Sequence, residues 1–156
     1  VVMNSEKPFD KVALLREIMK HQDESRVREI ADLMRVAACP AGHALCREGE
    51  TGDVLFVIGE GRVEITQNDE EGHGIRKLGE AGRGDLIGEM SLLQNAPRNA
   101  TVTALTDCIV LEMDKKDLET ILGHNPAVAV GLVNIANERQ RINDVIAMET
   151  LFDLKS

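Results

Sequence analysis

The sequence predicts an α+β protein, mainly β: an antiparallel sandwich or barrel with helices before and after it. Three observations carry this. Apolar residues recur at three and four as far as Leu33, then short β-branched runs alternate with turn residues from Val36 to Asp114, and the helical period returns from Lys115. Glycine is frequent in the middle zone, where it supplies turns. The runs follow one another too closely for the crossovers a parallel sheet needs.

Taken in order, Val12, Leu15, Ile18 and Met19 mark a first helix, and Ile30, Leu33 and Met34 a second, with Asp23 placed as the N-cap between them. Strands are expected at Val54–Ile58, Arg62–Thr66, Ile75–Leu78, Thr101–Thr103 and Cys108–Leu111. Gly59-Glu60-Gly61 reads as a hairpin turn, and the polar run Asn68–Gly74 as a loop between paired strands. Leu118, Ile121 and Leu122 form a short helix that Gly123 stops. Pro126 opens a long helix through Val130, Val133, Ile142, Val145 and Ile146. No internal repeat or low-complexity stretch interrupts this order.

Composition bounds the function. A chain of 156 residues with 43% apolar content can build one well-packed domain. With three Phe and neither Trp nor Tyr, it lacks the stacking platforms of single-strand binders. A net charge of −9 opposes a duplex, so no nucleic-acid partner is expected. Cys39, Cys46 and Cys108 contain no CxxC and read as reduced, buried thiols of a cytoplasmic protein. His21, His43, His73 and His124 are scattered, without HxH or HExxH, so no metal is expected, and neither is an enzyme of the metal-dependent barrel type. No apolar run reaches membrane-span length. The opening Val1-Val2-Met3 reads as that of an excised piece.

The candidate chemistry lies between Gly84 and Ala104. Gly88-Glu89 and Arg98 stand at either end of a segment that reads as one helical turn and a loop. A carboxylate that accepts from hydroxyls, a guanidinium fork suited to phosphate and free helix-start amides at about Met90 and Ser91 can thus face one small anion. Gly88 lets the backbone approach closely, and Ala100 is small enough for its own amide to reach the anion.

The stretch Gly-Asp-Leu-Ile-Gly-Glu-Met-Ser-Leu-Leu-Gln-Asn-Ala-Pro-Arg-Asn-Ala-Thr-Val-Thr-Ala resembles the phosphate-binding cassette of the cyclic nucleotide-binding domain family. Pro40-Ala-Gly42 and Arg47-Glu-Gly-Glu-Thr-Gly-Asp53 are similar to that family's early turns, and the likeness runs from about Asp23 to the C-terminus. It implies an eight-stranded antiparallel β-roll, or jelly roll, flanked by N-terminal helices and a C-terminal helical lid. The expected division is residues 1–35 as a helical segment, 36–114 as the β-roll with its cassette at 84–104, and 115–156 as hinge and lid helices. By the same resemblance Glu89 takes the ribose hydroxyl and Arg98 the cyclic phosphate, supported by Gly88, Ser91, Asn99 and Ala100. Similar domains often carry Ala or Ser where Asn99 stands, and many cGMP readers carry Thr. Asn99 matches neither pattern and leaves the choice between the two nucleotides open; the expected ligand is cAMP ahead of cGMP, with no separate cofactor.

Val63, Ile75, Leu78, Leu86 and Ile87 supply either a wall for the base or plain core. Arg139 and Arg141, on the family's lid helix, either stack on the base or form a solvated face. Leu132, Ile135, Ile142 and Ile146 can cover the roll or form a homodimer seam. The implied protein is a regulatory sensor whose ligand shifts the C-terminal helix, with the effector domain or partner protein left open and no room here for a helix-turn-helix. A ligandless interaction module with the same fold is the alternative.

Overall fold

The computed structural model describes residues 3–4, 8–19, 23–69, 72, 74–87 and 97–124. Among them lie nine strands and three helices: β1 (Met3–Asn4), α1 (Lys11–Ile18), α2 (Glu24–Leu33), β2 (Arg35–Cys39), β3 (Ala44–Cys46), β4 (Val54–Glu60), β5 (Val63–Asn68), β6 (Ile75–Ala81), β7 (Leu86–Ile87), β8 (Thr101–Ala104), β9 (Cys108–Asp114) and α3 (Lys115–His124). The strands form two antiparallel sheets, one in the order β1-β2-β9-β4-β7 and the other β3-β8-β5-β6. The mainly β, antiparallel roll expected from the sequence is what the chain forms. Its strand count exceeds the expected eight because Met3–Asn4, inside the segment read as helical, pairs onto β2 at Ala37 and Ala38.

Two apolar layers hold the sheets. The run Val54-Leu-Phe-Val-Ile58 shows no polar alternation because β4 is covered on both faces. Leu55 and Val57 face a cluster built with Leu14, Leu15 and Ile18 of α1 and Val27, Ile30 and Ala31 of α2. Phe56 and Ile58 point the other way, into a layer shared with Val63, Val102 and Ala104 of the second sheet. β9 alternates in step, Leu111 and Met113 toward the helices, Cys108 and Val110 between the sheets. Leu118 of α3 joins the helix-side cluster.

Local signals account for most boundaries. Asp10 caps α1, its carboxylate accepting from the Ala13 N–H at 3.0 Å. Asp23 does occupy the N-cap position of α2 but makes no side-chain capping bond; its backbone carbonyl accepts instead from Arg26 and Val27. α3 runs through Gly123 to His124, one residue past the expected stop. The loop after β5 joins paired strands as expected, with Asn68 opposite Ile75 and the Asp69 N–H donating to the Gly74 carbonyl at 2.9 Å.

The Gly59–Gly61 hairpin is a correction. β4 pairs with β7 and β9, whereas β5 pairs with β6 and β8, so this turn carries the chain from one sheet to the other. Gly59 sits at a register shift of β4 against β9, where a Cβ would come within 2.6 Å of the Phe9 ring. Gly61 has φ +91°, and a Cβ there would meet the Asp107 carbonyl at 2.6 Å and Cys108 Sγ at 2.7 Å. A glycine pair bent over neighbouring backbone reads the same in sequence whether it closes a hairpin or turns a corner.

Arg35 ties β2 to the end of β9. Its guanidinium donates to both Asp114 oxygens at 2.9 Å and approaches Glu112 at 3.4 Å. That hydrogen bond holds the Asp114 carboxyl below its ordinary value of 3.8.

Two outcomes follow for stability. Gly61→Ala should destabilise by about 2–4 kcal/mol in denaturant unfolding, since positive φ and overpacking each cost about 1–3. A change under 0.5 kcal/mol, or roughly the noise of surface substitutions, would deny the corner its strain. For Asp114 the folded value is depressed, so its contribution is present above pH 3.8 and lost as pH falls through the lower folded value. Asp114→Asn should therefore flatten the acid limb of the stability curve below pH 3.8. The pair is half-exposed and screened, which limits the loss at neutral pH to about 1 kcal/mol.

Candidate functional site

The site is organised around the start of β4. Ile87 of β7 pairs with Phe56, so β7 ends beside β4. The chain returns at residue 97, where Pro97 bridges Thr51, just ahead of the same strand. The turn at residues 47–50 then clamps the returning segment. The Arg98 N–H donates to the Glu50 carbonyl and the Gly49 N–H to the Arg98 carbonyl, both at 2.8 Å. Glu48 N–H donates to Thr101 Oγ1 at 3.0 Å. From the other side Gln67 Nε2 donates to the Asn99 carbonyl at 2.9 Å. Residues 97–101 are thus pinned by main-chain and side-chain bonds along their length.

Arg98 is 6% exposed and is the buried charged side chain among the described residues. Its Nη2 donates to the Val54 carbonyl at 2.6 Å. Its Nη1 is buried with no hydrogen-bond partner. A carbonyl fixes the orientation of the guanidinium but does not compensate its charge, and among the described residues no carboxylate pairs with it; burying a cation without a counter-charge is costly. The field reaches neighbouring groups: burial pushes the Cys46 thiol above its ordinary value, and the Arg98 cation opposes that shift. This geometry leaves a forked donor waiting for an acceptor of negative charge.

Of the other residues expected at the site, Ala100 is buried at 8% exposure and Asn99 is exposed. Gly88, Glu89, Met90, Ser91, Arg139 and Arg141 lie outside the described residues. The candidates for the base wall separate. Val63 and Ile87 belong to the layer between the sheets. Leu78, on β6, is 9% exposed. Leu86 faces the helix-side cluster, away from the second sheet, because it alternates with Ile87. Ile75 is 73% exposed at the start of β6 and closes nothing off. The Val54 carbonyl and Gln67 were not singled out in the sequence. A main-chain acceptor leaves no residue signature, and a glutamine at a strand end is unremarkable until the fold brings Asn99 beside it. Among the described residues no group of three His, Cys, Asp or Glu side chains could hold a metal ion, and no helix is long and apolar enough to cross a membrane.

The family profile described as "Cyclic nucleotide-binding domain" matches residues 37–125, from within β2 through α3. The chain belongs to the cyclic nucleotide-binding domain family. It is 34% identical over 113 residues to a cGMP-dependent protein kinase, isozyme 2, of Drosophila melanogaster, a match that covers 72% of this chain and 10% of that protein. It is 37% identical over 112 residues to a cyclic nucleotide-gated potassium channel of Rhizobium etli, covering 72% of this chain and 30% of the channel. This chain therefore spans a minor part of either relative. Among solved structures, a cyclic nucleotide-binding domain from Methylobacillus flagellatus KT superposes with a TM-score of 0.78 at 26% identity, over 88% of this chain and 83% of that one. The family is one of cyclic nucleotide-binding regulatory sensor domains.

Arg98→Met separates a functional cation from a structural one. The substitution loses the bond to Val54 but relieves an unpaired buried charge, so unfolding free energy without ligand should stay within about 1 kcal/mol of the parent or rise. A loss of several kcal/mol in denaturant titration would make Arg98 a structural ion instead.

Proposed function

We propose that this chain is a cAMP sensor, in which Arg98 holds the cyclic phosphate, Glu89 the ribose hydroxyl, and the segment after α3 transmits occupancy to an effector. The single observation that carries the reading is the buried Arg98 guanidinium with an unpartnered Nη1. A singly charged cyclic phosphate supplies what that nitrogen lacks, and the resulting charge-assisted bonds contribute about 1.5–3 kcal/mol each. The placement of residues 87 and 97 supports the partnership with Glu89. Ile87 is tied to Phe56 and Arg98 to Val54, two residues apart on one strand, or roughly 7 Å. The two arms of the cassette thus start from nearly the same point.

Of the relatives described, one is named for cGMP and one for cyclic nucleotides in general, and their names do not decide the ligand of this chain. Asn99 stands where similar domains often have Ala or Ser and many cGMP readers have Thr, so it matches neither pattern, and cAMP is placed ahead of cGMP for the melting experiment to rank. Gly88, Met90, Ser91 and Ala100 would add main-chain donors. Val63, Leu78 and Ile87, with Arg139 or Arg141 from the lid, would enclose the base. The chain would work in the cytoplasm, and a kinase, channel or transcription factor could each be the effector. The buried Arg98 with its unpartnered Nη1 favours this over the ligandless module, which has no use for such a cation.

Thermal melting with each nucleotide tests the proposal. At a hundredfold excess over Kd, binding should stabilise by about 2.7 kcal/mol, with the shift for cAMP exceeding that for cGMP at equal concentration. Arg98→Ala should lose about 2–5 kcal/mol of affinity by calorimetry. Glu89→Gln should lose less and narrow the discrimination against 2′-deoxy-cAMP. No shift with either nucleotide would leave the ligandless module standing.

A further inference from the structure

We propose that Cys39 and Cys108 form an oxidisable dithiol, a modification site that a small hydroperoxide converts into an intrachain disulfide. Cys39 closes β2, Cys108 opens β9, and the two are direct partners in the antiparallel register. Both side chains enter the layer between the sheets, on the same face. Directly opposed antiparallel residues have Cα atoms about 4.5 or 5.5 Å apart, according to their place in the ladder. Both separations fall inside the window of about 4.4–6.8 Å that a disulfide tolerates.

A second observation is access. The two cysteines line one side of a cleft of about 340 Å³, with Pro40, Glu60, Asp107 and Ile109 around them. The cysteine pair thus borders a space large enough for hydrogen peroxide. Their present bonds do not lock them. Cys39 Sγ faces the His43 carbonyl at 3.5 Å, and Cys108 Sγ the carbonyls of Arg62 at 3.4 Å and Thr106 at 3.3 Å. Thiols are weak donors, so rotation of either side chain forfeits little.

The chemistry closes with peroxide as the oxidant. The thiolate of one cysteine attacks a peroxide oxygen and the O–O bond breaks. The products are a sulfenic acid and hydroxide, which takes up the proton the thiol released and becomes water. The second thiol attacks the sulfenic sulfur, the S–S bond forms, and the hydroxyl leaves with that thiol's proton as a second water. The sum is two thiols and one hydrogen peroxide giving one disulfide and two waters, with the sulfurs oxidised and the peroxide oxygens reduced. Burial holds both thiols above their ordinary value, so the first step is slow at neutral pH. Cys46 lies in the same apolar layer, but it stands on β3, in register with Val102, and has no opposed cysteine. It serves as the internal control.

The test uses the whole chain, oxidised with hydrogen peroxide and then alkylated in denaturant. The expected result is an intact mass lower by two hydrogens before alkylation, one alkylatable thiol where the reduced chain has three, and a peptide map joining Cys39 to Cys108. The oxidised chain should also melt at a higher temperature and return to the starting value with dithiothreitol. Cys108→Ser and Cys39→Ser should each abolish the bridge. If a buried hydroxyl unfolds either variant, Cys108→Ala and Cys39→Ala serve in their place. Three alkylatable thiols after oxidation, a bridge that includes Cys46, or sulfinic acid without a bridge would overturn the proposal. None of these readouts depends on nucleotide binding.

Discussion

The antiparallel pairing of β4 with β9 is the constraint on which the rest of the molecule depends. These two strands lie inside the first sheet and are covered on both faces. Every second residue anchors α1 and α2, and the residues between them anchor the second sheet. The helices have no other sheet face to cover, and the second sheet has no other apolar partner among the described residues. A one-residue slip of β4 against β9 would exchange the two faces along the strand and expose both layers at once. The fold has few alternatives because one strand pair serves two cores.

The same pair positions the site. β4 is enclosed on both faces, and its first residues receive Ile87 on Phe56 and the Arg98 guanidinium on the Val54 carbonyl, with Pro97 bridged to Thr51 just ahead of the strand. A functional side chain held by a strand end is more closely placed than one held by a loop. The turn at residues 47–50 and Gln67 complete the support. Glu48 and Glu50 of that turn meet the segment through main-chain groups, and among the described residues no carboxylate forms an ion pair with Arg98. The scaffold fixes orientation and leaves the electrostatic requirement open.

What the sequence disclosed and what it hid divide along physical lines. The change of period at Val36 and again at Lys115 disclosed the layers, because burial imposes its repeat on composition. The unbroken apolar run of β4 disclosed a strand but not that both its faces are covered. The Gly59–Gly61 corner was misread because a hairpin and a change of sheet ask the same of a glycine, and only the partners of β4 and β5 tell them apart. Met3–Asn4 was missed because two residues carry no periodicity. Arg98 stood out through its neighbours Pro97 and Ala100 within the cassette pattern. Its burial and its unpaired nitrogen belong to the fold alone, as does the Val54 carbonyl. Leu86 and Ile87 looked equivalent as apolar neighbours, and strand alternation assigned them to different layers.

An acidic chain can hold an anion here because the relevant field is local. Beyond roughly 8–10 Å, exposed carboxylates are screened by salt, whereas a buried guanidinium acts through protein and is screened far less. The cost of burying that cation is already met in the folded chain, by the packing of both cores. Its orientation is likewise set before any ligand arrives, so binding need not order a long flexible side chain. The proposed phosphate would then gain most of a charge-assisted bond while freezing little, and would give the buried Arg98 Nη1 the partner it lacks. An arginine on an exposed loop could offer the same fork, but its charge would already be satisfied by water. The difference between those cases is the burial that β4 enforces.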